Sequence, residues 1–445
     1  MQIKKMLAVL VLPAVLASLL CSCGAKSNDK EIYFLNFKPE SAEKYKEIAS
    51  VYEKETGIKV KVSTAAANTY EQTLKSEVAK SNPPVIFQIN GPVGYESWKN
   101  YCADLTDTSL YQLLADKSLA VTGPNGGVYG IPYVIEGYGI ICNLAKLNEY
   151  FALDNRQTAV NSFEEINSFE NLKTVVEDMT NHLSELSIRG VFGSTSLQSG
   201  DDWRWQTHLA NIPFTLEADQ HNYDIGKGVK EITFEYGPYM KNLFDLYLNN
   251  SVTDRRLVGS KSVADSMAEF ALGQCAMIQN GNWAWSQIAK VAGNTVRSED
   301  VRMLPLYTGA PGDDTIGLCV GTENYLCINK TVSTDKQKLA DEFLTWLFSS
   351  DTGKAFVTEQ LEFLTPFSSF SASETPDDPL AREINRWLNI DGKVSIPWNF
   401  VAFPSTDFKN DFGSALLRYA QESATWEDVT KTVIARWKEE AKGEK

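Results

Sequence analysis

The chain has 445 residues, of which 43% are hydrophobic, 22% charged and 11% aromatic, a composition typical of globular proteins. Its formal net charge of −15 argues against a nucleic-acid partner and against electrostatic adhesion to anionic lipid, because both need a basic surface. Only three histidines occur, none at ligand spacing, so we predict no metal site, no histidine-activated nucleophile and no cofactor.

The first residues have the pattern of an export signal. A lysine pair precedes an apolar run that ends at Leu20 and is too short for a permanent membrane span, so residues 1–22 are predicted to be a signal peptide. In the string LCSCG, small Ser22 precedes Cys23, as in a bacterial lipobox. We expect Cys23 to carry lipid chains, palmitate among them, and 23–30 to be the anchor and linker. The alternative is an ordinary secretory signal with incidental cysteines.

The next segment predicts strands and helices in alternation. EIYFLNF predicts a buried strand, SAEKYKEIASVYEKETG an amphipathic helix stopped by Gly57, and IKVKV a second strand. A helix over TYEQTLKSEVAKS ends at a proline pair and precedes the strand VIFQIN. This order is typical of a parallel α/β sheet, in which ligands lie beyond the carboxyl ends of the strands. Asn36, Gln88 and Asn90 end strands here and are therefore candidate ligand-binding residues.

Two central segments supply further candidates. In GGVYGIPYVIEGYGIICN, glycine-rich turns precede two extended runs, and we interpret it as a crossing between two lobes with Glu136 near the hinge. Glu136 is expected to accept a ligand hydroxyl or, alternatively, to pair with a basic residue. The segment DDWRWQ offers Asp202, Trp203, Arg204 and Trp205, and an extended conformation would put both tryptophans on one face. Asp202 is a hydroxyl acceptor or, alternatively, a helix cap.

Aromatic and amide side chains recur in the second half of the chain. QNGNWAW carries Asn280 and Trp283, and SIPWNFVAFPS carries Trp398 and Phe400. The two tryptophans of QNGNWAW, two residues apart at the start of a helix, are expected to point to opposite sides. Sugar rings stack their C–H faces on aromatic planes and need directional hydrogen-bonding groups for their hydroxyls, so these residue types favour a sugar site.

The cysteines are expected to be small buried hydrophobes. Five follow Cys23, and their odd number, apolar contexts and lack of a CxxC motif argue against a complete set of internal bridges. They are Cys102, Cys142, Cys275, Cys319 and Cys327.

Five segments together carry a family likeness. They are YEKETGIKVKV, PPVIFQINGP, VYGIPYVIEGYGIICN, FALGQCAMIQNGNWAWS and YLCINKTVSTDKQKLADEFLTWLFSSDTGKAF. In this order they resemble the extracellular solute-binding lipoproteins of carbohydrate ABC importers, the maltodextrin-binding type in particular. The resemblance implies an α/β, two-lobed periplasmic-binding-protein-like fold, each lobe a mainly parallel sheet flanked by helices, with a hinge and an interlobe cleft. We assign 31–134 and 271–330 to lobe 1, and 135–270 and 331–445 to lobe 2.

The resemblance also implies a function. A monomeric, non-enzymatic protein, lipid-anchored on the outer face of the cell membrane, would bind a carbohydrate in the cleft and deliver it to an ABC permease with a cytoplasmic ATPase. By position in the family's motif, Trp283 is expected to stack on the sugar and Trp285 to pack in the core; alternatively, both are core residues. Several stacking rings favour an oligosaccharide such as a maltodextrin-like glucan. The neutral amides Gln88 and Asn90 favour a neutral sugar.

Other functions stay open at this point. A glycoside hydrolase would need two carboxylates flanking the bond, and the sequence does not separate Glu71, Glu136, Asp201 and Asp202 into an acid and a base. A solute-binding protein for a glycerol phosphate or a peptide is a second alternative. Phosphate is disfavoured because Arg204 is the only basic candidate. A surface adhesin or sensor partner is the third.

The lipobox yields a prediction about processing. Replacing Cys23 with serine should prevent lipid attachment and the cleavage that depends on it, because serine lacks the thiol that accepts the lipid. Metabolic labelling with a palmitate analogue and the size of the mature chain measure both steps. A variant that is cut at the same site and stays equally membrane-bound would contradict the lipoprotein interpretation.

Overall fold

The computed structural model describes residues 30–65, 67–371 and 373–441. The predicted signal peptide and Cys23 lie outside these residues. The strands are β1 (Glu31–Asn36), β2 (Lys59–Thr64), β3 (Ile86–Asn90), β4 (Val121–Thr122), β5 (Val128–Pro132), β6 (Glu136–Asn143), β7 (Met277–Gly281), β8 (Val301–Leu304), β9 (Ile316–Gly321), β10 (Asn324–Ile328) and β11 (Val394–Ile396).

Helices make up most of the remaining chain. The α-helices are α1 (Ala42–Thr56), α2 (Ala67–Val78), α3 (Gly91–Trp98), α4 (Ser109–Leu113), α5 (Leu144–Phe151), α6 (Phe169–Asn181), α7 (Asn211–His221), α8 (Gly237–Asn249), α9 (Val263–Ala271), α10 (Trp285–Ile288), α11 (Thr334–Ser349), α12 (Asp351–Ala355), α13 (Pro379–Leu388), α14 (Thr406–Ala420) and α15 (Trp426–Glu440). Two π-helical segments, Arg204–Leu209 and Phe356–Gln360, lie between them. Within the described ranges, no helix has both the length and the apolar character that crossing a membrane requires.

The first sheet has six strands in the order β2-β1-β3-β10-β5-β4. β2, β1, β3 and β5 run in one direction, whereas β10 and β4 run in the other. Alternate side chains face opposite cores: Phe34 and Leu326 pack with α1 and α11, and Leu35 and Cys327 pack with α2 and α3. Helices therefore cover both faces, which explains why the central strands are apolar along their length. We call this sheet and its helices the first lobe.

The second sheet has five strands in the order β11-β9-β6-β7, with β8 also paired to β6. β6 runs against its partners β7, β8 and β9, and every residue of this central strand is buried. Tyr138 and Ile140 face a core that includes α6, α8 and α14, whereas Ile141 faces a core that includes α9 and α13. We call this sheet and its helices the second lobe. The predicted two-lobed α/β fold is confirmed. The expectation of a mainly parallel sheet in each lobe is wrong for the second lobe, where only β9 and β11 pair in parallel.

The chain passes between the lobes at three places. β5 and β6 lie in different sheets, as do β9 and β10, and a third crossing leads from Phe367 in the first-lobe core to α13. The first crossing is joined to the segment that leads into the third, because the Ile135 amide donates to the Leu364 carbonyl at 2.6 Å. These paired crossings form the hinge. The first of them lies beside Glu136, where the sequence predicts a crossing.

The strand pairings correct the predicted lobe boundaries. The prediction places 271–330 in lobe 1, but β7, β8 and β9 pair in the second sheet. It places 331–445 in lobe 2, but α11 packs on the first sheet through Phe343 and Leu347. The physical reason is that an apolar strand pattern does not reveal which of two sheets the strand joins, since its partners lie far away in sequence.

The expectation for the cysteines is confirmed. All five that follow Cys23 are buried and free of disulfides in the described residues. They lie on strands or against them. Burial disfavours the thiolate and raises the thiol pKa of four of them, Cys142, Cys275, Cys319 and Cys327. Such thiols behave as small hydrophobes.

Candidate functional site

A cavity of about 300 Å³ lies where the two lobes meet the hinge. The first lobe contributes residues at the start of α1, the second lobe contributes the segment that follows β7, and the hinge supplies the floor. Its lining includes Glu40, Lys44, Glu136, Trp283, Trp285 and Phe363. Concave sites between domains that combine aromatic rings with a few polar groups are the usual places where small ligands bind.

A buried ion pair forms the floor of this region. Lys38 Nζ lies 2.6 Å from Glu136 Oε1 and 3.8 Å from Glu40 Oε1, and the Lys38 and Glu136 side chains are only 5% and 6% exposed. Burial disfavours the charged amine, but the carboxylates of Glu136 and Glu40 outweigh it and raise the pKa of Lys38. Glu136 thus takes the alternative role considered from the sequence, that of a hinge ion-pair partner, while it also lines the cavity. The sequence did not predict a role for Lys38, although this residue lies only two positions after Asn36.

The predicted strand-end amides Asn36 and Gln88 do not face the cavity. Asn36 is fully buried and donates from Nδ2 to the Lys38 carbonyl at 2.8 Å, so it shapes the turn that places Lys38. Gln88 is also fully buried, accepts from the Phe37 amide and donates to the Tyr133 hydroxyl at 2.6 Å. Both side chains satisfy their hydrogen bonds inside the first lobe, and the expectation that they bind ligand is corrected.

Asn90 and Asn280 differ in their surroundings. Asn90 is half-buried and donates from Nδ2 to Glu323 Oε1 at 2.7 Å across the second crossing. Asn280 is fully buried, and its Oδ1 accepts from the Gly281 amide at 3.0 Å, so it lies beneath the surface of the second lobe. Its neighbour Asn282 lines the cavity instead and accepts from the Gly137 amide at 3.0 Å.

An aromatic cluster in the second lobe borders the cavity. His208 lies at its centre, stacked on Tyr138 with ring centroids 4.0 Å apart and the planes 5° from parallel. The other members that contact His208 are Trp203, Trp283, Trp398 and Phe400. Burial, together with the positive charges of Arg204 and Lys409, lowers the pKa of His208 well below its ordinary value, so the imidazole is neutral at pH 7. Four predicted site residues therefore come together, while Tyr138 and His208 were missed.

The two half-exposed rings of this cluster are Trp203 and Trp283, with centroids 6.0 Å apart. Trp283 covers Gly281, where a Cβ atom would collide with the ring, so glycine is required for this close approach. Trp398 and Phe400 are only 6% and 2% exposed and support the others from behind. Within the cluster, Trp283 lines the cavity, and Trp203 beside it is the other ring that keeps some exposed surface.

The tryptophans of QNGNWAW separate as the sequence predicts. Trp283 packs against the core that contains Tyr138, and Trp285 packs against the core that contains Ile288, on the opposite face of the second sheet. Trp285 is half-buried, however, and it lines the cavity together with Trp283. The expectation that Trp285 packs in the core is therefore wrong in part: its ring contacts the second core but also faces the cavity, as that of Trp283 does.

The prediction for DDWRWQ is wrong for Trp205. The segment opens a π-helix instead of an extended strand, so the i,i+2 tryptophans do not share a face. Trp205 is 1% exposed and packs edge-on against Tyr247 with centroids 4.7 Å apart. Asp202 is also turned inward, onto Gly413 of α14, and burial raises its pKa.

Arg204 is held in the interior of the second lobe. Its guanidinium carbon lies 4.1 Å from the centroid of Trp203, and Nη1 donates to the Asp201 carbonyl at 3.3 Å. The side chain is 2% exposed, and burial lowers its pKa to about 9. Arg204 thus supports the Trp203 ring through a cation–π contact, and the expectation of direct ligand contact is corrected.

Comparison with known proteins places the chain in a family. A family model described as bacterial extracellular solute-binding protein matches residues 47–383. The chain belongs to this family. As a solute-binding protein it shares its fold with solved structures that are only 15–17% identical in sequence. The structural match therefore rests on the two lobes and their connections.

Three of these structures span nearly the whole molecule. A chitin oligosaccharide binding protein has 16% identity and a TM-score of 0.70, covering 93% of this chain and 99% of that one. The GacH receptor of Streptomyces glaucescens, solved unliganded and with acarbose, has 17% identity and a TM-score of 0.67, covering 93% and 99%. A sugar transporter from Bacillus licheniformis in complex with stachyose has 15% identity and a TM-score of 0.66, covering 92% and 100%.

The burial of Trp205 yields a prediction about stability. Trp205→Ala should lower the free energy of unfolding by about 3–5 kcal/mol, because it leaves a large cavity beside Tyr247. Trp203→Ala is the matched control and should cost clearly less, since its ring is already partly in water. Urea unfolding followed by circular dichroism measures both. Equal losses in the two variants would contradict the assignment of Trp205 to the core.

Proposed function

We propose that this solute-binding protein binds an oligosaccharide in the cavity between its lobes and delivers it to an ABC import permease driven by a cytoplasmic ATPase. The observation that carries the proposal is the position of Trp283. Its half-exposed ring lines the cavity beside the carboxylate of Glu136 and the amide of Asn282. An apolar plane next to charged and amide groups matches a sugar, which has C–H faces and hydroxyl edges.

An oligosaccharide fits better than a single sugar. Trp283 and Trp285 both line the cavity, and the half-buried ring of Trp203 lies 6.0 Å from that of Trp283, close enough for the two rings to bind adjacent sugar units. The structural relatives described above are reported with chitin oligosaccharide, acarbose and stachyose, all of which contain several sugar rings. This agreement supports the proposal without naming the sugar.

Binding without catalysis is the activity that the family match favours, since the family is one of solute-binding proteins. Of the four carboxylates considered for a glycosidase, Glu136 alone lines the cavity. Its Oε1 atom is already bound by the Lys38 ammonium at 2.6 Å. Asp202 faces α14 instead of the cavity. We therefore infer that the protein is a receptor and that its ligand leaves unchanged.

We also infer how the protein is placed in the cell. Its family is extracellular, and the lipobox at Cys23 supports attachment of a monomer to the outer face of the cell membrane by lipid alone. A tethered receptor keeps captured solute close to the permease, because the tether raises its effective concentration at the membrane.

The proposal predicts a binding phenotype. Calorimetric titration with raffinose, stachyose, maltotriose, xylotriose and chitotriose should find at least one ligand that binds the mature protein. Trp283→Ala should weaken that binding by roughly ten-fold to a few hundred-fold, because stacking on an aromatic face contributes on the order of one to a few kcal/mol.

The matched control is Trp426→Ala. Trp426 is also half-buried, but it begins α15 and contacts Tyr419, away from the cavity. This variant should bind as tightly as the unchanged protein. Equal affinity of the Trp283 variant and the control would show that the sugar does not stack on Trp283, and absence of binding to the whole panel would contradict the proposed ligand class.

A further inference from the structure

A polar group outside the lined cavity faces across the cleft between the lobes. Glu71 belongs to α2 and Asn90 ends β3 in the first lobe, Glu323 lies in the second crossing, and Lys409 belongs to α14 of the second lobe. The carboxylates of Glu323 and Glu71 are the negative charges that Lys409 faces. We call these four residues the cross-cleft group.

The hydrogen-bonding capacity of this group is only partly used. Asn90 donates to Glu323 at 2.7 Å, and the indole Nε1 of Trp98 donates to Glu71 at 2.8 Å. Asn90 Oδ1, however, is buried and accepts no hydrogen bond from the described residues. Among the described residues, no carboxylate oxygen lies within 4.0 Å of Lys409 Nζ, so the amine forms no ion pair with them. A donor on one side of the cleft and an acceptor on the other are therefore both left open.

These groups are costly to leave unpaired. Burial lowers the pKa of Lys409 and raises the pKa of Glu323, so both have lost part of their hydration. Both side chains nevertheless retain some exposed surface, as expected on the wall of a deep cleft. Removing a charge from water without a compensating partner is unfavourable, so a partner that enters the cleft and bonds to these groups offsets part of that loss.

The gap persists although the lobes already touch beside it. Val401, eight residues before Lys409, approaches Gly91, which directly follows Asn90: a Cβ atom on Gly91 would lie 3.3 Å from Val401 Cβ. Because the lobes already touch here, a further rotation that brought Lys409 closer to the carboxylates would press Val401 against Gly91. The group that fills it must offer donors and acceptors together, and hydroxyl groups do so.

We propose that Lys409 is a ligand-binding residue: its ammonium donates to sugar hydroxyls from the second lobe, while Asn90 and Glu323 bind the same sugar unit from the other side. The inference rests on the proposed function, since it assumes a ligand with several hydroxyls. A ligand held in this way bridges the lobes and stabilises the closed arrangement, because it gains these bonds only when the lobes are together.

Lys409→Met tests the proposal, because methionine keeps the apolar stem and removes the charged donor. Calorimetric titration with the tightest binder among raffinose, stachyose, maltotriose, xylotriose and chitotriose should show affinity reduced by about ten- to a hundred-fold, the usual effect of losing a charged hydrogen bond. Lys431→Met is the control, since Lys431 is exposed on α15 and pairs with Glu427 at 2.7 Å. The control should bind as the unchanged protein does.

A second comparison distinguishes contact between Lys409 and the sugar from a direct interaction between Lys409 and Glu323. In a Glu323→Gln background, adding Lys409→Met should weaken binding again if the amine contacts sugar. If the added change has no effect there, Lys409 acts only through Glu323 and the proposal is overturned. Unchanged affinity of Lys409→Met alone overturns it too, while the proposed function stands because the unchanged protein still binds. Failure of the unchanged protein to bind any of the five sugars contradicts both the proposed function and this inference.

Discussion

The ion pair between Lys38 and Glu136 is the contact on which the site depends. Lys38 lies just beyond β1 of the first lobe, and Glu136 is the first residue of β6 in the second lobe. Their charged atoms are 2.6 Å apart, and both side chains are almost fully buried. Breaking a buried pair by removing one partner typically costs about 3–5 kcal/mol, because the remaining charge is left buried. The pair therefore holds the two lobes in register at the hinge, and it brings a carboxylate to the floor of the cavity.

Around that floor the protein places two contrasting surfaces. The second lobe supplies aromatic planes, which are kept in position by packing: His208 is neutral and lies flat on Tyr138, and Gly281 allows Trp283 to lie close to the strand. The first lobe and the crossings supply carboxylates and amides whose bonding capacity is partly unused. Aromatic planes opposite polar groups are what a sugar requires, since its rings present apolar faces and polar edges. Because the two surfaces belong to different lobes, recognition and closure are coupled.

Local patterns in the sequence predicted the features that depend on local structure. The βα alternation of the first lobe, the crossing beside Glu136, the opposite orientation of Trp283 and Trp285 and the unbridged cysteines all follow from periodicity or spacing, and the structure agrees. The family likeness rests on such segments too.

Features set by distant contacts could not be predicted in this way. The assignment of β7, β8 and β9 to the second sheet depends on pairing with β6, more than a hundred residues earlier in the chain for each of them. The inward turn of Trp205 depends on a π-helix, which no simple periodicity reveals. Lys38 looks like an ordinary surface lysine until the hinge brings Glu136 to it. His208 and Lys409 likewise gain their roles only from neighbours that folding brings together.

A crystal structure of the mature protein with the tightest-binding oligosaccharide of the panel tests the central claim most directly. The account predicts electron density for sugar between the lobes, with one ring parallel to the indole of Trp283 and hydroxyls within hydrogen-bonding distance of Glu136 or Lys409. The Lys38–Glu136 pair should remain intact beneath it. Sugar bound outside the interlobe cleft, or in the cleft without contact to Trp283, would contradict it.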